Sequence, residues 1–192
     1  MTDLKPITAL GAAAPRSKTF GALTITENAG LALASLALRC GGAQPAPMGL
    51  ALPGPGGWVA GQGVAAFWAG PGLWMIEAEG RAEEDFARDL KSRVPECSVT
   101  EQTDGWVAYE IASSAGAAPI LRLLEKLVNI DPAGLVPRRA TRTGLEHMSV
   151  FVIRRAEERL AVLGMRSAAG TLWHALETAA ARQVAREGAG AS

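Results

Sequence analysis

The chain has 192 residues, enough for one sizeable core, and 48% of them are apolar, but only ten are aromatic and five of those are tryptophan. Nineteen basic residues balance nineteen acidic ones, so no global field directs the protein toward nucleic acid or an anionic membrane. Two cysteines, Cys40 and Cys97, have no second Cys or His at ligand spacing, which excludes a disulfide framework or a sequence-legible zinc site and points to a reduced compartment.

The N-terminus "MTDLKPITALGAAAP" has an acid at Asp3 and a weak apolar run ended by proline, unlike a secretory signal. The most apolar segment, "GLALASLALRC", is far shorter than the ~20 residues of a membrane span. A soluble cytoplasmic protein is expected, with neither nucleic acid nor membrane as a partner. Residues 1–21 hold Pro6, Gly11, Pro15 and Gly21 and lack sustained periodicity, so they are expected to form an arm that orders against a neighbour.

Along the chain, "GLALASLALR" (30–39) alternates Leu with Ala or Ser and predicts a buried strand. The Pro/Gly-dense stretch 40–57 predicts a loop with at most one helical turn. "VAAFWAGPGLWMIEA" (64–78) predicts two strands split at Gly70-Pro71-Gly72. Behind an acidic first turn, Phe86, Leu90 and Val94 recur at four-residue spacing and predict a helix. "CSVTEQTDGWVAYEI" (97–111) predicts a hairpin turning at Asp104-Gly105, with Val107, Tyr109 and Ile111 on one face. "PILRLLEKLVNID" predicts a helix with Ile120, Leu124, Leu127 and Val128 inward, and "MSVFVIRR" with "RLAVLGM" predicts a hairpin around Ala156-Glu157-Glu158. A last helix is expected from Ser167 to about Val184, packed through Leu172, Leu176, Ala179 and Ala180. The fold class expected is α+β: three hairpin-plus-helix units, mostly antiparallel sheet with helices layered on it. The domain runs over 22–186, followed by a disordered tail at 187–192.

Candidate chemistry is sparse. "GQGVAA" matches a dinucleotide fingerprint at Gly61, Gly63 and Ala66, but Gly70 and Pro71 leave no room for the helix whose N-terminus would meet a pyrophosphate. His147 beside Glu146, and His174 three residues before Glu177, place imidazoles near carboxylates, with no third ligand or nucleophile supplied by spacing. Such a pair is ordinary on a helix surface. Arg166 and Ser167 stand where a strand meets a helix. Ser167 reads as the helix cap, Arg166 as a group able to hold an anion beside a helix end, and Trp173 as a core plug. Nine basic against five acidic residues over 121–166 predict a solvated basic face, in which Arg138, Arg139 and Arg142 could meet a glutamate tail. An exposed apolar patch is expected around Trp58, Trp68 and the Gly/Pro loop. No catalytic, cofactor-binding or metal-binding residue is assigned.

Six strings are specific: "LALASLALR" (31–39), "AFWAGPGLWMIEA" (66–78), "CSVTEQTDGWVAYEI" (97–111), "LLEKLVNIDP" (123–132), "RTGLEHMSVFVIRR" (142–155) and "VLGMRSAAGTLWHAL" (162–176). In this order they resemble the gamma subunit of heterotetrameric sarcosine oxidase, which is itself similar to the folate-binding domains of the glycine cleavage T-protein. The resemblance implies a T-protein-like α+β fold and a place in a complex with alpha, beta and delta chains. That complex converts sarcosine, oxygen and tetrahydrofolate to glycine, hydrogen peroxide and methylenetetrahydrofolate. It further implies that FAD, FMN, NAD, tetrahydrofolate and zinc reside in the partner subunits, and that this chain has a structural role without catalytic residues. A gamma-type subunit of a related N-methyl amino acid dehydrogenase, or a stand-alone folate-binding aminomethyltransferase-like protein, are the alternatives.

Overall fold

The computed structural model describes residues 6–39, 42–131 and 134–189; Cys40 lies outside them. In chain order the elements are β1 (Ser17–Phe20), β2 (Leu23–Glu27), β3 (Ala32–Ala37), β4 (Trp58–Ala60), β5 (Ala65–Gly70), β6 (Leu73–Ala78), α1 (Phe86–Arg93), β7 (Ser98–Glu101), β8 (Trp106–Ser113), α2 (Ala118–Leu127), β9 (Arg139–Leu145), β10 (Met148–Ala156), β11 (Arg159–Met165) and α3 (Ala169–Ala189). Every strand pairing is antiparallel. One sheet has the order β1-β2-β8-β11-β10-β9, the other β4-β5-β6-β3-β7. The expected α+β class with antiparallel sheet and layered helices is the fold observed.

Strand alternation explains the layering. In β10, Val150 and Val152 point to the α2/α3 side, while Phe151 and Ile153 point between the sheets. In β11, Leu160 and Val162 oppose Ala161 and Leu163 in the same way. In the second sheet, Ala34 and Leu36 of β3 and Trp74 and Ile76 of β6 face α1, whereas Leu33 and Met75 face inward. Each sheet is thus covered on both faces, so its central strands read as unbroken apolar runs instead of apolar-polar alternation.

The two sheets repeat one connectivity: β3 through β6 followed by α1 has the arrangement of β8 through β11 followed by α3. Beside β3 lies β7, which follows α1; beside β8 the same place is taken by β2, from the chain's beginning. The edges β4 and β9 meet where Trp58 N–H donates to the Arg138 carbonyl (2.9 Å) and Ala140 N–H to that of Gly56 (3.0 Å).

Two expectations need correction. β7 and β8 form no hairpin: β7 pairs with β3 and β8 with β2 and β11. The Thr103–Gly105 3-10 turn between them carries the chain from one sheet to the other, held where Leu33 N–H donates to Thr103 Oγ1 (2.9 Å) and Gln102 N–H to the Leu33 carbonyl (2.8 Å). Only β5-β6-α1 and β10-β11-α3 are therefore hairpin-plus-helix units. Residues 17–20 form strand β1, and α3 runs to Ala189. Finally, Ser167 does not cap α3. It is exposed inside a 3-10 turn, Arg166–Ala168, that runs directly into the helix, and no side chain caps that turn.

No helix of the described residues is long and apolar enough to cross a membrane.

Candidate functional site

Three charged side chains converge between the sheets. Glu77 lies on β6 between Ile76 and Ala78, Glu110 on β8 between Tyr109 and Ile111, and Arg155 near the end of β10. The same alternation that sends their neighbours to the helix layers turns these side chains inward. Glu77 is 2% exposed. The Arg155 guanidinium donates through Nη1 to Glu77 Oε2 (2.9 Å) and through Nη2 to Glu77 Oε1 (3.1 Å), and reaches Glu110 through Nε (3.2 Å) and Nη2 (3.0 Å). The Trp58 indole N–H donates to Glu77 Oε2 (2.9 Å), and its ring lies under the guanidinium at 5.3 Å. One arginine fork therefore ties β10 and β8 of one sheet to β6 of the other, in the bidentate geometry that makes Arg-carboxylate pairs strong.

The electrostatics follow from burial. Removal from water disfavours the charged guanidinium, but the Glu77 and Glu110 carboxylates outweigh it and raise the Arg155 pKa above the usual arginine range. Burial pushes the Glu110 carboxyl up, and Arg155 pulls the other way without fully offsetting it.

Two hollows flank this cluster and share Glu79 and Arg155 as lining. One, about 250 Å³, reaches Glu77 and the Gly61–Val64 turn; the other, about 360 Å³, reaches Glu110 and Arg159. Asn28 Nδ2 holds Glu79 at 2.9 Å. The arrangement can orient a small polar molecule against carboxylates and a guanidinium. Among the described residues, no serine, cysteine, histidine or tyrosine lines either hollow, and no group of three or more metal-type ligands exists.

A separate cavity of about 360 Å³ opens at the end of the sandwich, beneath residues 6–9. Glu27, 2% exposed, accepts from Leu10 N–H (3.0 Å) and Arg16 N–H (3.2 Å), and Arg166 Nη2 donates to the Ile7 carbonyl (3.0 Å). These contacts hold the arm across the cavity mouth.

The residues singled out in the sequence are scattered. Arg166 serves the arm and lies 3.9 Å from Asp104, while Ser167, the next residue in the same 3-10 turn, and His174 on α3 are exposed. Glu177 does not pair with His174: it binds Lys18 and accepts from the Trp173 indole N–H (3.1 Å). Trp173 is a core plug, as expected, edge-on to Tyr109 at 5.5 Å. His147 is exposed with Glu146 in the two-residue β9-β10 turn, both at positive φ. Gly61 and Gly63 belong to the β4-β5 hairpin, and the element that follows them is strand β5, not a helix. Cys97 is a free, buried thiol whose pKa burial raises.

The basic excess of 121–166 is not one solvated face, because Arg154 is 2% exposed and donates to the Ala156 and Glu157 carbonyls, and Arg155 is the inter-sheet fork. Arg138, Arg139 and Arg142 are exposed, and Arg142 donates to Ser149 Oγ (2.9 Å). Nor do Trp58 and Trp68 carry the large exposed apolar groups. Both are half-buried, and the exposed ones among the described residues are Ile7, Val136, Met165 and Val184.

The inter-sheet charge cluster is not legible in the sequence because its members lie far apart in the chain. The available signal was a charged residue at an inward position of an apolar strand, in "WMIEA", "AYEI" and "VIRR".

No protein-family model and no curated protein sequence matches this chain. Among solved structures it is similar to a chain of heterotetrameric sarcosine oxidase from Corynebacterium sp. U-96, in complex with pyrrole 2-carboxylate. The TM-score is 0.69 at 22% identity, over 86% of this chain and 87% of that one. It is also similar to the glycine cleavage system aminomethyltransferase T from Bartonella henselae, with a TM-score of 0.55 at 15% identity, over 81% of this chain and 48% of that one. The chain therefore has the α+β fold shared by a sarcosine oxidase subunit and an aminomethyltransferase T.

Proposed function

We propose that this chain is the gamma-type subunit of a heterotetrameric sarcosine oxidase, with an assembly role, while the flavin, NAD, folate and zinc chemistry belongs to alpha, beta and delta partners. The observation that carries this reading is mutual, near-complete coverage: 86% of this chain superposes on 87% of one chain of a sarcosine oxidase. The six ordered sequence strings support it independently, and so does the use of the buried carboxylates Glu77 and Glu27, with Arg155, to tie sheets and arm together. The chain would be cytoplasmic with its partners. The test is expression of the tagged chain with the candidate partner chains. Co-elution with flavin-bearing chains that oxidise sarcosine supports the reading; oxidation of another N-methyl amino acid by the same assembly would redirect it to a dehydrogenase of that substrate. Elution of the chain alone, while the partners assemble and turn over without it, overturns it.

A second reading, a stand-alone folate-binding protein, draws on the aminomethyltransferase-like fold and on the polar hollows lined by Arg155, one of them also by Glu77, which the Trp58 indole holds. Titration of the isolated chain with tetrahydrofolate tests it, because Trp58 would report occupancy. No saturable change in tryptophan fluorescence would sink it.

A further inference from the structure

Among the described residues, four large apolar side chains are strongly exposed: Ile7 at 61%, Val136 at 52%, Met165 at 50% and Val184 at 38%. Two of them converge. Arg166, which donates to the Ile7 carbonyl, directly follows Met165, and Met165 stands opposite Trp106 in the β8-β11 ladder. Ile7, Trp106 and Arg166 all line the same cavity of about 360 Å³, whose floor is apolar at Leu31 and Leu33.

The arm is fixed by its backbone while its largest apolar side chain faces water. Glu27, a carboxylate with 2% exposure, spends both oxygens on the N–H groups of Leu10 and Arg16, and Arg16 returns its carbonyl to Glu27 N–H at 2.8 Å. A buried charge is a costly way to hold a peripheral segment. Its result is an isoleucine presented in a preset position, with the ordering cost already met before any encounter. Around it the rim is acidic. The Asp104 side chain is 98% exposed and Glu83 lines the same mouth, against one cation among the described residues, Arg166, which lies 3.9 Å from Asp104 and donates to the Ile7 carbonyl.

We infer that this end of the sandwich, centred on Ile7 and Met165, is the surface on which a partner chain docks, the partner inserting an apolar side chain toward the cavity and placing Lys or Arg against Asp104 and Glu83. An apolar centre with a rim that carries more acid than base has the anatomy of an interface in which the centre supplies affinity and the rim supplies orientation and association rate. The inference rests on the subunit reading above and adds which surface is used and what faces it.

The test is the dissociation constant between the full chain and the purified partner assembly. Replacing Ile7→Asp and Met165→Glu together should raise it about a hundredfold, the scale expected for two central contacts. The control pair Val136→Glu and Val184→Glu, of comparable exposure but away from the cavity, should change it less than about threefold. Asp104→Lys with Glu83→Lys should slow association, with the deficit shrinking as salt rises. Circular dichroism melts confirm that each variant is folded, which exposure at all these positions favours. A folded Ile7/Met165 variant that binds with wild-type affinity overturns this inference and leaves the subunit reading standing. A wild-type chain that binds no partner removes both. Self-association of the wild-type chain that the Ile7/Met165 variant loses would assign the surface to a second copy and overturn the partner assignment.

Discussion

Replacing Arg155 by alanine should be among the most damaging single changes available in the inter-sheet layer. The guanidinium makes two hydrogen bonds to Glu77 and two to Glu110. Without it, Glu77 keeps the Trp58 indole N–H as its remaining partner at 2% exposure, whereas Glu110, at 30%, retains access to water. Removing one member of a buried ion pair costs about 3–5 kcal/mol, chiefly because the other charge is left uncompensated. For a chain of this length that is a fall in melting temperature of roughly 6–20 °C, at about 2–4 °C per kcal/mol. The double replacement Glu77→Leu with Arg155→Met removes the orphaned charge together with its partner and should recover most of the loss.

The pH dependence of this deficit has a definite sign. Burial raises the Glu110 carboxyl above its unfolded value despite Arg155. Its favourable contribution is therefore present below the unfolded carboxylate pKa and lost as pH rises through the folded value. Losing Arg155 removes the charge that opposes this rise and pushes Glu110 further up, so the Arg155→Ala deficit should be smaller near about pH 5 than near about pH 8. Thermal unfolding by circular dichroism at the two pH values reads both effects. An Arg155→Ala protein that melts within about 2 °C of wild type at each pH would refute the clamp.

Gly164→Ala places a Cβ 2.7 Å from Leu172 Cδ2 and 3.5 Å from Val150 Cγ1, an overpacking expected to cost about 1–3 kcal/mol in urea unfolding. Glu146→Asn with His147→Gly relieves two non-glycine residues at φ 43° and 68° in a two-residue hairpin turn, and should stabilise by about 1 kcal/mol, read as a higher melting temperature. Trp173→Ala should cost about 3–5 kcal/mol, whereas Ser167→Ala, exposed and not a cap, should stay within about 0.5 kcal/mol; turnover of an assembled complex should be untouched by the serine change. For Glu101, burial works against the charge, but hydrogen bonds from Thr103 Oγ1 and the Thr103, Ala87 and Gln102 N–H groups hold the carboxyl below its usual range. Its stabilisation is present above the unfolded carboxylate pKa and lost as pH falls through the lower folded value, so Glu101→Ala, costing about 1 kcal/mol at neutral pH, should converge with wild type in acid.

Strands with two covered faces were legible because apolar runs survive without any knowledge of partners; β3, β5, β6, β10 and β11 are of this kind. The edge strands were not. β9, "RATRTGL", has polar residues on its open face, and β1 is exposed over most of its length, so neither shows a core stripe. The Asp104-Gly105 signal correctly marked a change of direction, but local turn chemistry does not say whether the chain returns to its own sheet or crosses to the next. Ser167 fitted a cap by residue type, and the 3-10 turn that displaced it depends on how β11 enters α3, a tertiary matter. The Glu77–Arg155–Glu110 cluster joins residues up to 78 positions apart, and only the stacking of two sheets brings them together. The sole local trace was charge on an inward strand position.

The most direct measurement of the central proposal is the native mass, flavin absorbance and sarcosine-dependent hydrogen peroxide production of the species purified through a tag on this chain after co-expression with the candidate alpha, beta and delta chains. The account predicts one species holding all four chains, flavin-coloured and active, from which the Ile7/Met165 variant drops out. A colourless species with the mass of this chain alone, 19.9 kDa, beside an active assembly that lacks it, would contradict the account.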